Sequence, residues 1–128
     1  MKALIIDDEE DIGLIAQLGL RAAGLDVFVA ASGEAGVALA REHQPDVIVL
    51  DWMMPGMDGS ATLAALRADA ATAGIPVVLL TGKDLAAAEE GLRRRGVVDF
   101  VGKPFAPRAL IARVMALLRH PVEPVSLN

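Results

Sequence analysis

Residues 46–59 read Asp46-Val47-Ile48-Val49-Leu50-Asp51-Trp52-Met53-Met54-Pro55-Gly56-Met57-Asp58-Gly59. Val47 to Leu50 form an unbroken apolar run, mostly β-branched, that meets an acid at Asp51 and then the turn formers Pro55, Gly56 and Asp58-Gly59. A continuous apolar run of that length suits a strand buried on both faces, as in a parallel sheet. Asp51 then stands at the strand's carboxyl end, where open α/β sheets place their ligand sites. An acid there is either a reactive group or a loop-capping group, and this stretch alone does not decide between them.

The same unit recurs on either side. Ala3 to Ile6 reads as a buried strand running into Asp7-Asp8-Glu9-Glu10-Asp11, acids that favour the start of a helix over Ile12 to Ala23, closed by Gly24. That helix carries two apolar stripes: Ile12, Ile15, Ala16 and Gly19 along one line, Leu14 and Leu18 off it. One stripe packs on a sheet and the other is surplus. Val27 to Ala30 is a second strand, and Ser32 caps a helix from Gly33 to about His43 whose apolar face is Val37, Leu39 and Ala40. Asp58 caps a third helix reaching about Ala71, broken by Gly74-Ile75-Pro76. Val77 to Leu80 is a strand ending in Thr81-Gly82-Lys83, and an alanine-rich helix runs from Leu85 to Arg95. Val97 to Val101 is the last strand, followed by Gly102-Lys103-Pro104-Phe105, and Pro107 opens a final helix to about Arg119. Residues 120–128 have no periodicity and read as a tail or linker stub. Five β-α units in alternation predict an α/β fold: a doubly wound parallel sheet with helices on both faces. Eight such units, as in a closed barrel, need about twice the length.

Bulk properties narrow the function. A chain of 128 residues holds one domain with its own core. No run approaches the roughly 20 apolar residues that span a bilayer, and the first residues lack a signal-peptide pattern. Cysteine is absent, which excludes disulfides and thiolate metal sites. A net charge of -5 with 3% aromatic residues argues against direct nucleic-acid binding and against base stacking. A cytoplasmic protein is the simplest reading.

The strand ends carry the chemistry. Asp7 and Asp8 follow the first strand, Asp51 the third, Thr81 the fourth and Lys103-Pro104 the fifth. A parallel sheet brings these points to one edge. Three carboxylates in one pocket repel one another, and a hard divalent cation with oxygen ligands, Mg2+, is the usual remedy. A lysine opposite supplies charge for a phosphoryl group, and a threonine hydroxyl can hydrogen-bond one of its oxygens. One carboxylate can then act as nucleophile and become an acyl phosphate, the rest of the site positioning it and neutralising charge. Asp51 is the nucleophile candidate. Asp8 is the direct metal ligand, Asp7 acts through water or orients the shell, and the Met53 carbonyl is a further oxygen facing the metal.

Asp7-Asp8, Asp51, Met54-Pro55, Met57-Asp58-Gly59, Thr81 and Lys103-Pro104-Phe105 together make the chain resemble the receiver domain of two-component response regulators, of the chemotaxis-regulator kind, from Met1 to about Arg119. The resemblance implies a flavodoxin-like sheet in the order 2-1-3-4-5 with five flanking helices. It implies Mg2+-dependent phosphorylation of Asp51 by a phosphohistidine on a sensor kinase or phosphotransfer protein. Lys103 bridges to the phosphoryl group across a cis bond to Pro104, and the backbone N–H groups of Trp52 and Gly82 add contacts. Thr81 and Phe100 form the switch, Phe100 standing where a tyrosine is common. Met53 with Lys83 is expected to affect water access and the acyl phosphate's lifetime. The face formed by the helix from Leu85 to Arg95, the last strand and the last helix is the expected output surface, and a phosphorylation-dependent homodimer is one expected outcome. Ala112 to Arg119 resembles the last receiver helix of winged-helix transcription regulators, so the chain is either a stand-alone receiver or one cut at its linker after about His120. In either case it is a signalling domain, without turnover beyond its own phosphotransfer and dephosphorylation.

Each motif also has a plainer reading. Asp7-Asp8 alone is an acidic helix entry, Thr81-Gly82 alone a turn, and Lys103-Pro104 alone a loop stop. Met53, Met54 and Met57 read as packing and loop anchors, Trp52 as a half-exposed loop aromatic, and Arg93-Arg94-Arg95 as a solvated helix end. His43 and His120 sit at helix ends without chemistry. Leu14 and Leu18 are either a kinase docking face or buried. Two other functions compete. A phosphohydrolase of the haloacid dehalogenase type needs an Asp-x-Asp after the first strand and a cap domain, and a flavodoxin-like cofactor binder needs a hydroxyl-rich loop where this chain has acids.

Overall fold

The computed structural model describes residues 1–54, 56–82 and 86–119. Strands β1 (Lys2–Ile6), β2 (Asp26–Ala30), β3 (Val47–Asp51), β4 (Val77–Thr81) and β5 (Val97–Gly102) alternate with helices α1 (Glu10–Ala22), α2 (Gly33–His43), α3 (Gly59–Ala68), α4 (Glu89–Arg94) and α5 (Pro107–Arg119). The strands pair in the order β2-β1-β3-β4-β5, every pair parallel. That is the doubly wound, flavodoxin-like arrangement expected from the five repeats.

Side-chain alternation along the strands builds two cores. On one face Ile6, Ile48, Leu50 and Leu79 pack with Leu63 and Leu66 of α3 and Leu92 of α4. On the other Ile5, Val49 and Leu80 pack with Ala16 and Leu20 of α1 and Leu110 and Val114 of α5. The inner strands β3 and β4 are buried at every position, which explains why both read as unbroken apolar runs. The caps fall where the short polar residues predict. Ser32 accepts a hydrogen bond from the Ala35 amide at 3.2 Å, and Asp58 one from the Ala61 amide at 2.9 Å. No helix is long and apolar enough to cross a membrane among the described residues.

Four expectations change. Helix α1 starts at Glu10, because Glu10 and Asp11 join its first turn and complement the helix dipole. Its buried line is Gly13, Ala16 and Leu20, which rotates Ile15 outward with Leu14 and Leu18. Helix α3 ends at Ala68 and not near Ala71: Asp69 leaves helical geometry, and its carboxylate accepts from the Ala71 amide at 2.9 Å to form a turn. The alanine-rich segment forms a short 3-10 turn (Ala86–Ala88) before a six-residue α4, whose N-cap Ala88 offers no side-chain acceptor. Leu85, Lys83, Pro55 and His120 lie outside the described residues, as does the tail.

Arg67, at the end of α3, had no counterpart in the sequence reading. All five of its N–H donors meet backbone carbonyls, those of Thr72, Ala73, Ile75, Arg95 and Gly96. Burial, then the charge of Arg95, lowers its pKa from the ordinary arginine value. The guanidinium thereby ties the α3–β4 connection to the α4–β5 turn. At the opposite edge the β3–α3 connection is closed by contact. A Cβ on Gly59 would stand 2.6 Å from the Trp52 Cα and 2.9 Å from the Asp51 carbonyl oxygen. Gly59→Ala is therefore expected to lower the unfolding free energy in urea by about 1–3 kcal/mol. Gly74→Ala, with nothing within 4 Å, should change it by less than about 0.5 kcal/mol. Equal effects of the two substitutions would contradict the close approach at Gly59.

Candidate functional site

The sheet delivers its chemistry to one edge. Asp51 is the last residue of β3 and Thr81 the last of β4, while Asp7 and Lys103 each follow their strand at once. Asp51 is 1% exposed, Asp7 2%, and Asp8 half-buried. One ligand oxygen from each of Asp7, Asp8 and Asp51 lies within 4.8 Å of the others. Lys103 enters from the opposite side, its Nζ 3.1 Å from Asp51 Oδ1, 3.6 Å from Glu9 Oε1 and 3.7 Å from Asp7 Oδ2. Thr81 is buried, and its carbonyl accepts from the Lys103 amide at 2.6 Å, fastening β5's exit to β4's. The Lys103–Pro104 peptide is cis.

The hydrogen bonding is incomplete in an informative way. Asp7 Oδ1 accepts from the Glu9 amide at 2.9 Å and Asp51 Oδ1 from the Met53 amide at 3.2 Å. Asp7 Oδ2 and Asp51 Oδ2 are buried with no hydrogen-bond partner. Buried carboxylate oxygens without donors are costly unless a cation takes them. A donor set made only of carboxylates, with open positions, suits a hard divalent cation that keeps part of its water.

Electrostatics agree with this crowding. Burial raises the pKa of Asp7 from 3.8 to about 6; the Glu9 amide pulls it down, Asp51 pushes it up and Lys103 pulls it down. Burial opposes the charge on Lys103, but the hydrogen bond with Asp51 and the fields of Asp7, Asp51 and Glu9 outweigh it and raise its pKa above the usual lysine value.

Other candidates are placed less simply. Gly82 is exposed beside Thr81. The Trp52 N–H donates to the Leu80 carbonyl at 3.0 Å in the β3–β4 ladder, so the amide that reaches Asp51 is that of Met53. Met54 and Met57 pack as expected, but Met53 does not anchor the loop by packing, since the residue is 73% exposed. Phe100 is half-buried, with the Arg93 guanidinium 5.0 Å from its ring centroid, so Arg93 is engaged and not simply solvated. Arg94 pairs with Glu90 at 2.9 Å, and Arg95 donates to the Ser60 carbonyl. His43 ends α2 and stacks on Phe28 at 4.0 Å. Glu9 is the residue that sequence reasoning missed. Its signal was the acidic run Asp7 to Asp11, all of which past Asp8 was read as a helix entry.

The raised pKa of Asp7 has a signed consequence. The folded chain holds that proton more tightly than the unfolded chain, so the stabilisation is full below about pH 4 and lost as pH rises through about 6. In metal-free urea titrations, wild type should lose stability relative to Asp7→Asn across that window. Parallel pH profiles for the two would show that Asp7 is not perturbed.

Comparisons with known proteins place this geometry. The family model "Response regulator receiver domain" matches residues 3–115. The DNA-binding response regulator MtrA of Mycolicibacterium smegmatis is 38% identical over 132 residues, covering 99% of this chain and 56% of that protein. The alkaline phosphatase synthesis transcriptional regulatory protein PhoP of Bacillus subtilis is 39% identical over 119 residues, 93% of this chain and 49% of that protein. The chain thus spans about half the length of the curated relatives it matches. Among solved structures, a Francisella response regulator receiver domain superposes with a TM-score of 0.82 at 33% identity, covering 92% of this chain and 96% of that one. The chemotaxis protein CheY4 of Vibrio cholerae gives 0.82 at 29% identity, covering 90% and 96%. With its sheet order, its acidic edge and these likenesses, the chain belongs to the receiver domain family of two-component response regulators.

Proposed function

We propose that Asp51 is the phosphoacceptor, taking a phosphoryl group from a phosphohistidine on a sensor kinase or histidine phosphotransfer protein, with Mg2+ bound by Asp7, Asp8, Asp51 and the Met53 carbonyl. The observation that carries this reading is the buried Asp51 carboxylate. One oxygen is held by Lys103 at 3.1 Å while the other has no partner, beside two more carboxylates. An Asp51 oxygen forms the bond to phosphorus as the histidine N–P bond breaks, and the departing imidazole keeps the electron pair and takes up a proton. A bound Mg2+ offsets the charge of the carboxylates and of the phosphoryl oxygens. Lys103 follows the charge from the carboxylate to the phosphoryl group. The Met53 and Gly82 amides and the Thr81 hydroxyl supply donors. Use of the Trp52 N–H requires giving up its ladder bond to Leu80.

The same contacts provide the switch. Thr81 moves toward the phosphoryl oxygen and Phe100 turns inward, leaving Arg93, because the phosphorylated state offers the anion more donors than the free state. The surface of α4, β5 and α5 then presents a different face to a partner or an output domain. Relatives named as DNA-binding and transcriptional regulators favour an output domain beyond the receiver, which we assign to residues 1–119, with 120–128 as a tail or linker. Nucleic-acid binding and turnover of an external substrate are assigned to no part of this chain.

Leu14 and Leu18, 54% and 61% exposed, face away from the sheet on a helix that starts beside the acidic edge. They are proposed as the kinase docking face. Two experiments test these roles. Acetyl phosphate with Mg2+ should label wild type stoichiometrically, while Asp51→Asn, or wild type with chelator, stays unlabelled; equal labelling of Asp51→Asn would refute the acceptor assignment. Leu14→Glu should slow transfer from the kinase about tenfold or more while leaving acetyl phosphate labelling intact, and equal slowing of both reactions would remove the docking role.

A further inference from the structure

Met53 is out of place for its chemistry. It is 73% exposed, against 7% for its neighbour Met54, and it is the most exposed of the large hydrophobic residues among the described residues. Packing therefore does not explain a thioether here. Its backbone is fixed on the acceptor, since its amide donates to Asp51 Oδ1 at 3.2 Å. Its side chain lines an open cleft of about 400 Å3 with Trp52, Met54, Asp58 and Ser60. The chain has no cysteine and five methionines, so its only sulfur chemistry is that of the thioether.

We propose that Met53 is an oxidation site through which peroxide shortens the life of the phosphorylated state. The proposal rests on Asp51 being the phosphoacceptor. A sulfur lone pair of Met53 attacks one oxygen of hydrogen peroxide, the O–O bond breaks, and the departing hydroxide takes the proton left on the transferred oxygen. Sulfur is oxidised by two electrons to the sulfoxide, and peroxide is reduced to water. Reversal needs a dithiol reductant acting through a methionine sulfoxide reductase.

The consequence follows from what surrounds the group. The site already has more acceptors than donors, with Asp7 Oδ2 and Asp51 Oδ2 unpartnered. The thioether is a weak acceptor and presents an apolar cap at the cleft. The sulfoxide oxygen is a strong acceptor with no proton to give. It orders donors, above all water, two residues from the acyl phosphate that water hydrolyses. Hydrolysis is therefore faster in the oxidised protein. The fold supplies an internal control. Met1 is 63% exposed, but it precedes β1 at the opposite edge of the sheet, so it oxidises without touching the site.

The test uses the full chain treated with hydrogen peroxide, each methionine followed by peptide mass spectrometry. Phosphoryl loss is then timed after labelling with acetyl phosphate and removal of the donor. Met53 should oxidise about as readily as Met1 and well ahead of Met54. Oxidised wild type should lose its phosphoryl group at least threefold faster than untreated protein, and reductase treatment should restore the slow rate. In Met53→Leu the rates before and after peroxide should be equal, and Met53→Gln, which carries a permanent polar oxygen, should be fast without peroxide. Oxidation of Met53 no faster than that of Met54, unchanged decay in oxidised wild type, or an equal peroxide response in Met53→Leu would each overturn the proposal. Untreated protein that takes no phosphoryl group would overturn the Asp51 assignment itself, and this proposal with it.

Discussion

One ammonium group, that of Lys103, stands against Asp7, Asp51 and Glu9 at the carboxyl edge of the sheet, 3.1 to 3.7 Å from each. That imbalance governs the site. A single cation cannot satisfy so many carboxylate oxygens, so two of them remain buried without donors, and burial, with the charge of Asp51 added to it, raises the proton affinity of Asp7. Such a site is poised to gain positive charge from a divalent ion. The free state is the less satisfied one, which is the condition for a switch that a ligand can throw.

The rest of the fold maintains that condition. The two fully buried strands β3 and β4 fix the backbone at Asp51 and Thr81, since neither strand can shift without disturbing both cores. Arg67 fixes the opposite edge by placing all of its donors on two connections, including the carbonyls of Arg95 and Gly96 at the end of α4. Among the described residues, a 3-10 turn over Ala86–Ala88 precedes α4, and its N-cap Ala88 makes no side-chain cap hydrogen bond. Helix α4 is thus fastened at its C-terminal end and starts without a side-chain cap.

Most of this was legible from the residues. The apolar runs gave the strands because burial on both faces leaves no polar position, and Ser32 and Asp58 gave two helix starts because short polar side chains satisfy free amides. Asp7, Asp8, Asp51, Thr81 and Lys103 were found together because a parallel sheet brings all strand ends to one edge. Features set by tertiary contact were not legible. Ile15 looked like a packing residue, but the burial line of α1 is fixed by how the helix rolls against β1 and α5. Arg67 looked like any helix-end arginine, because its partners are backbone carbonyls that carry no sequence signal. The ladder bond from the Trp52 N–H to the Leu80 carbonyl comes from strand pairing, which the motif around Asp51 does not reveal. Glu9 was hidden by being one acid in a run of five.

The central claim is that Asp7, Asp8 and Asp51 form one cation site whose occupancy relieves the excess charge. It is tested most directly by calorimetric titration of the chain with Mg2+ near pH 7.5. The account predicts one Mg2+ per chain, with proton release that grows as the pH is lowered toward 6, and binding at least tenfold weaker in Asp7→Asn and Asp51→Asn. Wild type and both variants binding Mg2+ equally, or none of them binding it, would contradict it.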